Sequence, residues 1–289
     1  MAETNPQIIR RRVKIDFASA NASGWSGRNT GLDDVLNALS FVFPAGEAFF
    51  INSVRYYLGR ITDPALKEQA ERFIYQEAMH SREHARSNQV LKQVHSYGRG
   101  MEKMAEALLG FGRRCTPKAT QLATSCALEH FTAMLADVLL REQRRLIDES
   151  EPAFVSLWLW HAVEETEHKA VCFDVYQHIF GRGPLSYLHR VVIMATTSLT
   201  FVAAMAVGFS MIKWQKRRRR KSVEPGVQPD LQSSGMPTLA VMLGGVPLRM
   251  YLDYYRFSFH PWQQNNAHLI DEWKTYYANF GAGMDDAAE

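Results

Sequence analysis

The segment YQEAMHSREH, residues 75–84, decides the predicted fold because it places three potential metal ligands on one face of a helix. Glu77, His80 and His84 stand at positions i, i+3 and i+7. Side chains three and four positions apart are neighbours on a helix surface. A single Glu-x-x-His on a helix is common at protein surfaces, so the prediction depends on what the rest of the chain supplies.

A second segment, WHAVEETEHKA at residues 160–170, repeats the arrangement. Here His161, Glu165 and His168 stand at i, i+4 and i+7, so this helix also carries a Glu-x-x-His. Bundles that hold two metal ions take one such unit from each of two helices and a single glutamate from each of the other two. The two segments therefore predict a ferritin-like four-helix bundle.

The two single glutamates of that pattern are also present. Glu47 stands in the apolar run SFVFPAGEAFFI, residues 40–51, and Glu129 stands in SCALEHFTAML, residues 125–135. The order along the chain is the expected one. His161 is either a third imidazole ligand or a hydrogen-bonded core residue. His84 is a partner behind the ligands, a residue of an access channel or an extra ligand.

Start and stop signals divide this part of the chain into four long helices. Asp63, Thr116 and Ser150, each followed by proline within two residues, open the last three of them. The predicted helices cover residues 31–59, 64–97, 117–147 and 152–181, with Pro44 as a kink or break in the first. The connections are short, long and short, which is the ferritin-like connectivity of two hairpins joined by a crossover.

The predicted organisation has three parts. Residues 1–30 form an N-terminal arm, 31–182 form the di-metal bundle, and 183–289 form a hydrophobic and aromatic helical extension with a linker at 222–237. Counting from the turn places Glu47 and Glu77 at the same level in the first hairpin. In the second, Glu129 and Glu165 are mismatched by about 7.5 Å at 1.5 Å per residue, so we expect the third helix to kink or fray.

Four inward glutamates without lysine partners call for a compensating cation, because a buried, unpaired carboxylate is costly. Carboxylates and imidazoles suit iron or manganese, so we expect two iron ions, with manganese or zinc as alternatives. Aromatic side chains, among them Phe50, Phe73 and Trp158, would keep the site dry. Three glutamates fall off the inward stripe and are expected to be solvated, and His130 is expected to point elsewhere. These glutamates are Glu83, Glu164 and Glu167.

Composition restricts the classes of protein. The chain has 289 residues, 46% of them hydrophobic, and a net charge of +3, which is too small to argue for a nucleic-acid partner. Its three cysteines lack metal-ligand spacing, which fits a reducing compartment. The arginines at 10–12 are not followed by an apolar stretch, so no secretory signal is predicted and the bundle is expected in the cytoplasm.

Residues 191–212 contain no ionisable side chain and are long enough to cross a bilayer. Seven basic residues follow at 213–221, which conflicts with a spanning helix behind a cytoplasmic bundle. Either this segment forms an in-plane or re-entrant hairpin with the apolar run 236–248, or the basic cluster lies at the cytoplasmic leaflet beside a docked bundle. A buried core helix is the alternative. We expect association with the inner membrane through residues 185–221.

The motifs FPAGEAFF, YQEAMHSREH, ALEH and WHAVEETEHK, with the later RFSFHPW at 256–262, resemble the bacterial family of predicted metal-dependent hydrolases over nearly the whole chain. The series His161, Glu165 and His168 is similar to that of the di-iron arylamine N-oxygenases, in which a third histidine joins the usual ligands and a bound amine is oxidised. The chain departs from that group in its spacing between helices and in its C-terminal part, so the substrate is not carried over.

Three functions follow as expectations. The first is an O2-dependent di-iron oxidase or oxygenase acting on a lipophilic small molecule by hydroxylation, desaturation or N-oxygenation. The second is a binuclear metal-dependent hydrolase that uses a metal-activated water. The third is non-enzymatic iron binding or storage. The chain has no glycine-rich nucleotide or flavin motif, so electrons would come from a separate donor protein. The oligomeric state stays open, with a homodimer as one option.

Overall fold

The structure, a computed structural model, describes residues 6–27, 30–222, 248–280 and 284–286. The predicted all-α fold is confirmed. The helices are α1 Thr30–Arg55, α2 Pro64–Val94, α3 Gly98–Cys115, α4 Lys118–Arg141, α5 Gln143–Glu149, α6 Pro152–His168, α7 Val171–Phe180, α8 Pro184–Ser222, α9 Leu248–Asp253 and α10 His268–Phe280. Short 3-10 turns lie at Leu58–Arg60 and Pro261–Gln263. Strand β1, Arg11–Val13, pairs antiparallel with β2, Met284–Asp286.

The bundle is built from α1, α2, α4 and the pair α6 and α7, with α1 packed on α2 and α4 packed on α6. Helix α2 starts as predicted, because the Asp63 carboxylate accepts the backbone N–H of Ala65 at 2.9 Å and Pro64 occupies the first helical position. The crossover between the hairpins is itself helical. It forms α3, whose Met101 and Ala105 are buried.

Pro44 does not break the first helix, which is continuous from residue 30 to 55. Proline has no backbone N–H, so the carbonyl of Ser40, four residues earlier, is left without its helical donor. The side-chain amide of Asn88 on α2 donates to that carbonyl at 2.8 Å. The proline is therefore accommodated by a hydrogen bond from the neighbouring helix.

The predicted third helix is interrupted at Glu142, where α4 ends and α5 begins. This break removes the mismatch in the second hairpin. Glu129 now lies as far before the end of α4 as Glu165 lies after the start of α6, to within one residue. The expected kink in the third helix thus has a position, and it brings the two carboxylates to one level of the bundle.

The predicted fourth helix is also interrupted, at Lys169 and Ala170. Burial lowers the pKa of Lys169 to about 7. Its ammonium group donates to the backbone carbonyl of Gln264 at 2.6 Å and to the side chain of Asn266 at 2.7 Å. It also lies 4.1 Å from the centre of the Trp262 ring. The segment after α9 therefore packs against the bundle at the point where the fourth helix breaks.

Helix α8 lies along the bundle and buries Met194, Met205 and Ile212. Near its C-terminal end the side-chain oxygen of Gln215 accepts the backbone N–H of Tyr97 at 3.0 Å. Among the described residues, two helical stretches are long and apolar enough to cross a membrane. Gly31–Arg60 is mostly buried in the bundle, whereas Pro184–Arg218 is buried over less than a quarter of its apolar window. The predicted linker 222–237 and apolar run 236–248 lie, apart from Ser222 and Leu248, outside the described residues.

The N-terminal arm packs on the bundle through buried apolar side chains, among them Ile8, Ile15, Phe17 and Trp25. Because β1 pairs with β2, the first described residues and the last ones meet beside the bundle. The N-terminal arm covers part of α6, since Ile9 and Arg11 contact Glu167. The side chains of α6 are buried on all faces from Leu157 to His168.

Candidate metal centre

The structure brings together every side chain that the sequence proposed as a ligand. All of them are buried, with at most 3% of any of these residues exposed, and they come from α1, α2, α4 and α6. These residues are Glu47, Glu77, His80, His84, Glu129, His161, Glu165 and His168.

One group gathers around His168. Its Nε2 atom lies 3.1 Å from Oε1 of Glu77, 3.4 Å from Oε2 of Glu165 and 3.6 Å from Oε2 of Glu129. Ligand atoms of Glu77, Glu129 and His168 lie within 4.8 Å of one another. Three helices thus supply one compact set of two carboxylates and an imidazole, with a third carboxylate beside it.

A second group gathers around His80 and His161. Nδ1 of His80 lies 3.6 Å from Oε1 of Glu77 and 3.7 Å from Oε1 of Glu165, and Nε2 of His161 lies 2.9 Å from the same Glu165 oxygen. Glu47 completes this side, since its carboxylate lies within 4.8 Å of ligand atoms of His161 and His84. Glu77 and Glu165 face both groups.

Most of the atoms that face the centre lack other partners; the exceptions are the two oxygens of Glu165, which pair with Thr132 and His161. In the described part of the chain, neither carboxylate oxygen of Glu47, Glu77 or Glu129 has a hydrogen-bond partner, and the same holds for Nδ1 of His80 and Nε2 of His168. Buried polar atoms are normally hydrogen-bonded, and exceptions call for an explanation such as an ion. Cations bound between these atoms would satisfy all of them, so the residues fit a metal centre.

Electrostatics leads to the same conclusion. Burial, and next to it the Glu77 carboxylate, raises the pKa of Glu47 well above its usual range. Burial and the Glu165 carboxylate do the same to the pKa of Glu129. Burial would also raise the pKa of Glu165, but His168 and His161 lower it well below its usual value. Without cations, ionising all four buried carboxylates together is unfavourable, and bound cations would offset their repulsion.

Each of two histidines is held from behind by an outer partner. Nε2–H of His80 donates to Glu164 at 3.0 Å, and Nδ1–H of His168 donates to the side-chain oxygen of Gln76 at 2.8 Å. Such partners fix the orientation and tautomer of a metal-binding imidazole. In both cases the other ring nitrogen, the one that faces the carboxylates, is left free to bind a metal.

The expectation that Glu164, Glu167 and Glu83 are solvated is wrong. Arg11 in β1 donates to Glu164 at 3.3 Å and to both oxygens of Glu167 at 2.9 and 2.5 Å. Gln76 also donates to Glu167, at 3.0 Å. Arg11 therefore links the outer partners of His80 and His168 in one network.

Glu83 is buried in a separate ion pair with two arginines of its own helix. Its carboxylate accepts from Arg82 at 2.8 Å and from Arg86 at 2.5 Å. Arg11 was not predicted as a site residue because it stands among three consecutive arginines, a run that is usually solvated. The local signal in the sequence is the alternation of apolar residues at Val13, Ile15 and Phe17, since a two-residue period continued backwards places Arg11 on the same covered face.

Aromatic rings close the centre. Phe73 meets His168 edge-on with ring centres 4.8 Å apart, and Trp158 meets His84 at 5.1 Å. Phe50 is buried in the neighbouring apolar cluster. Phe43 and Trp160, which the sequence analysis did not single out, lie against His161 at 5.0 Å and His80 at 4.9 Å.

His130 points away from the centre, as expected. Its Nε2–H donates to the carbonyl of Met250 at 3.0 Å, beside α9. Glu129 and His130 are consecutive on α4, so the carboxylate faces inward while the imidazole reaches the C-terminal extension. His130, the residue next to the candidate ligand Glu129, thus connects α4 to the C-terminal extension.

Four helices that each direct a glutamate inward, with imidazoles from two of them, define a helical-bundle protein with a buried carboxylate and histidine metal site. The chain belongs to the family of predicted metal-dependent hydrolases, whose family model matches residues 9–265. No curated protein and no solved structure matches the chain. The matched region includes every candidate ligand and also Arg11.

Proposed function

We propose that the protein is an O2-dependent di-iron oxidase or oxygenase that hydroxylates, desaturates or N-oxygenates a lipophilic small molecule. The observation that carries this proposal is the donor set of four carboxylates and three imidazoles, which is buried and enclosed by aromatic rings. Iron is the metal that such a set suits best, and four carboxylates match the charge of two metal ions.

The proposed assignment follows the two groups of donor atoms. Glu129 and His168 would hold one metal ion, Glu47, His80 and His161 would hold the other, and Glu77 and Glu165, which face both groups, would contribute to both. Two irons held there would supply the activation of O2. The chain's own contribution is to hold the charges in place, to orient the imidazoles from behind and to exclude water through Phe43, Phe73, Trp158 and Trp160.

Hydrolysis is the second candidate, and the family description favours it. The same residues would hold zinc or manganese, whose role would be to activate a bound water. A hydrolase needs a water and an ester or amide at an open position beside the metal. The donors are buried and enclosed by aromatic rings, which suits oxidation better than a reaction that consumes water. We therefore place oxidation first.

Anaerobic loading with ferrous iron, followed by admission of O2, separates these functions. We expect two irons per chain and a transient absorption in the visible region after O2 is admitted. Failure to bind iron would contradict the proposed oxidase or oxygenase. Activity only with zinc and without O2 would also contradict it and would favour the hydrolase. Uptake of many irons per chain would decide for storage. Metal analysis and stopped-flow spectroscopy of the full chain provide the readouts.

We also propose that the protein works at a membrane surface, with α8 lying in the plane of the interface. One face of α8 is packed on the bundle along its length, and the opposite face exposes apolar side chains, among them Leu185 at 84%, Leu199 at 73% and Val202 at 52%. A spanning α8 would carry the bundle helices beside it into the bilayer. An in-plane helix would place a lipophilic substrate next to the bundle.

The polar groups on the exposed face of α8 also suit lipid contact. The hydroxyls of Thr196, Thr200 and Ser210 each donate to a carbonyl one turn earlier in the same helix, at 3.1, 2.9 and 2.8 Å. They therefore present no unsatisfied donor to an apolar surrounding. Helix α8 contains no acidic residue and ends in basic ones, which complements anionic headgroups.

Cosedimentation with vesicles tests this placement. The full chain should bind vesicles rich in anionic lipid more tightly than neutral ones, and Leu199→Glu should weaken binding about tenfold or more, because a buried leucine contributes roughly 1.5–3 kcal/mol. Gln69→Glu, which adds the same charge at an exposed position of α2, is the matched control and should bind like the wild type. Equal binding of both variants would contradict an α8 contact.

A further inference from the structure

His84 lies beside His161, on the side of the centre where the Glu47 carboxylate lies. Its Nε2 atom lies 2.7 Å from Nδ1 of His161, and its Nδ1 atom lies 2.8 Å from the hydroxyl oxygen of Ser40. Two imidazole nitrogens bound to one metal at about 2.0–2.1 Å would be separated by about 3 Å or more. The shorter separation is that of a hydrogen bond, so His84 and His161 share a proton and not a metal.

Asn88 and Ser40 determine which of the two nitrogens donates in this hydrogen bond. Because Pro44 has no N–H, the carbonyl of Ser40 takes its donor from the side-chain amide of Asn88. That contact turns the amide oxygen of Asn88 towards the Ser40 hydroxyl, which donates to it at 2.7 Å. The single hydrogen of the hydroxyl is thereby used.

The consequence passes along the chain of contacts. The Ser40 oxygen can only accept, so Nδ1–H of His84 must donate to it. A neutral imidazole has one donor and one acceptor, and Nε2 of His84 therefore accepts. Nδ1–H of His161 donates to that acceptor, and Nε2 of His161 carries a lone pair. This is the nitrogen that lies 2.9 Å from Glu165, at the centre.

We propose that a one-directional hydrogen-bond chain keeps His161 in its Nδ1–H tautomer and so makes it the third imidazole ligand of the centre, with His84 as a positioning residue. The members of the chain are Pro44, Asn88, Ser40, His84 and His161. The proposal rests on the proposed metal site. It assigns a role to Pro44 in the middle of α1. This proline leaves the carbonyl of Ser40 free, and that carbonyl sets the direction of every hydrogen bond in the series.

Nitrogen-15 NMR of the full chain, labelled at histidine and loaded with Zn²⁺ as a diamagnetic metal, tests the tautomers directly. We expect His161 to show a protonated Nδ1 and a metal-bound Nε2, and His84 to show a protonated Nδ1 and a free Nε2. A metal-bound nitrogen on His84, or a protonated Nε2 on His161, would overturn the proposal. This measurement needs no variant.

Ser40→Ala removes the acceptor at the end of the chain. We expect the Zn²⁺ affinity of the weaker-binding position to fall roughly 10–100-fold, the range typical of lost outer partners, and the His84 resonances to shift. Ser87→Ala is the matched control, because Ser87 is equally buried on α2 and its hydroxyl has no hydrogen-bond partner among the described residues. Equal affinities in the two variants would refute the chain while leaving the metal site intact. Absence of metal binding in the wild type would instead refute the proposed function.

Discussion

Replacing Glu77 by alanine should abolish the binding of two metal ions. Oε1 of Glu77 lies 3.1 Å from Nε2 of His168 and 3.6 Å from Nδ1 of His80, so one carboxylate serves both groups of donors. No other carboxylate on α2 faces the centre, because Glu83 is held by two arginines. We expect the variant to retain one iron per chain or none, as measured by metal analysis after anaerobic loading.

The control for this experiment is Glu71→Ala, which removes an exposed carboxylate from the same helix. It should bind as much iron as the wild type. His168→Ala should match Glu77→Ala, since the imidazole approaches Glu77, Glu129 and Glu165. Two irons per chain in Glu77→Ala would show that the ligand assignment is wrong.

Replacing Arg11 by methionine should destabilise the fold by about 3–5 kcal/mol, the usual cost of leaving a buried charge without its partner. The Arg11 side chain is 4% exposed, and the carboxylates of Glu164 and Glu167 that it neutralises are each 1% exposed. Methionine has a similar length, so the loss is mainly one of charge and hydrogen bonds. Urea unfolding at one fixed metal concentration measures the change.

Arg12→Met is the matched control, because Arg12 is the next residue of β1 and its side chain is exposed. Exposed substitutions of this kind usually change stability by less than about 0.5 kcal/mol. If both variants unfold at the same urea concentration, the ion pairs of Arg11 with Glu164 and Glu167 do not stabilise the fold, and the prediction is wrong.

The candidate ligands could be predicted from the sequence because the pattern that marks them is local. A Glu-x-x-His on each of two helices and a glutamate in each of two apolar runs follow from helical spacing alone. The outer residues could not be predicted this way. Glu164 and Glu167 lie off the inward stripe of α6 but are covered by the N-terminal arm, and Arg11 reaches them from about 150 positions away along the chain.

The helix breaks were equally hard to place. Neither Glu142 nor Lys169 is a glycine or a proline, so no local signal ends the helix there. At Lys169 a tertiary contact accompanies the break, since Gln264 and Asn266 hold the ammonium group. The proposed role of His84 depends on the distance of 2.7 Å between its Nε2 atom and Nδ1 of His161, which the sequence does not contain.

Anomalous diffraction at the iron edge, from crystals of the iron-loaded full chain, tests the proposed di-iron centre most directly. We expect two iron peaks inside the bundle, both in contact with Glu77 and Glu165. One should lie beside His168, and the other should lie beside His80 and His161. A single peak, or iron bound elsewhere while these side chains bind none, would contradict the proposed centre.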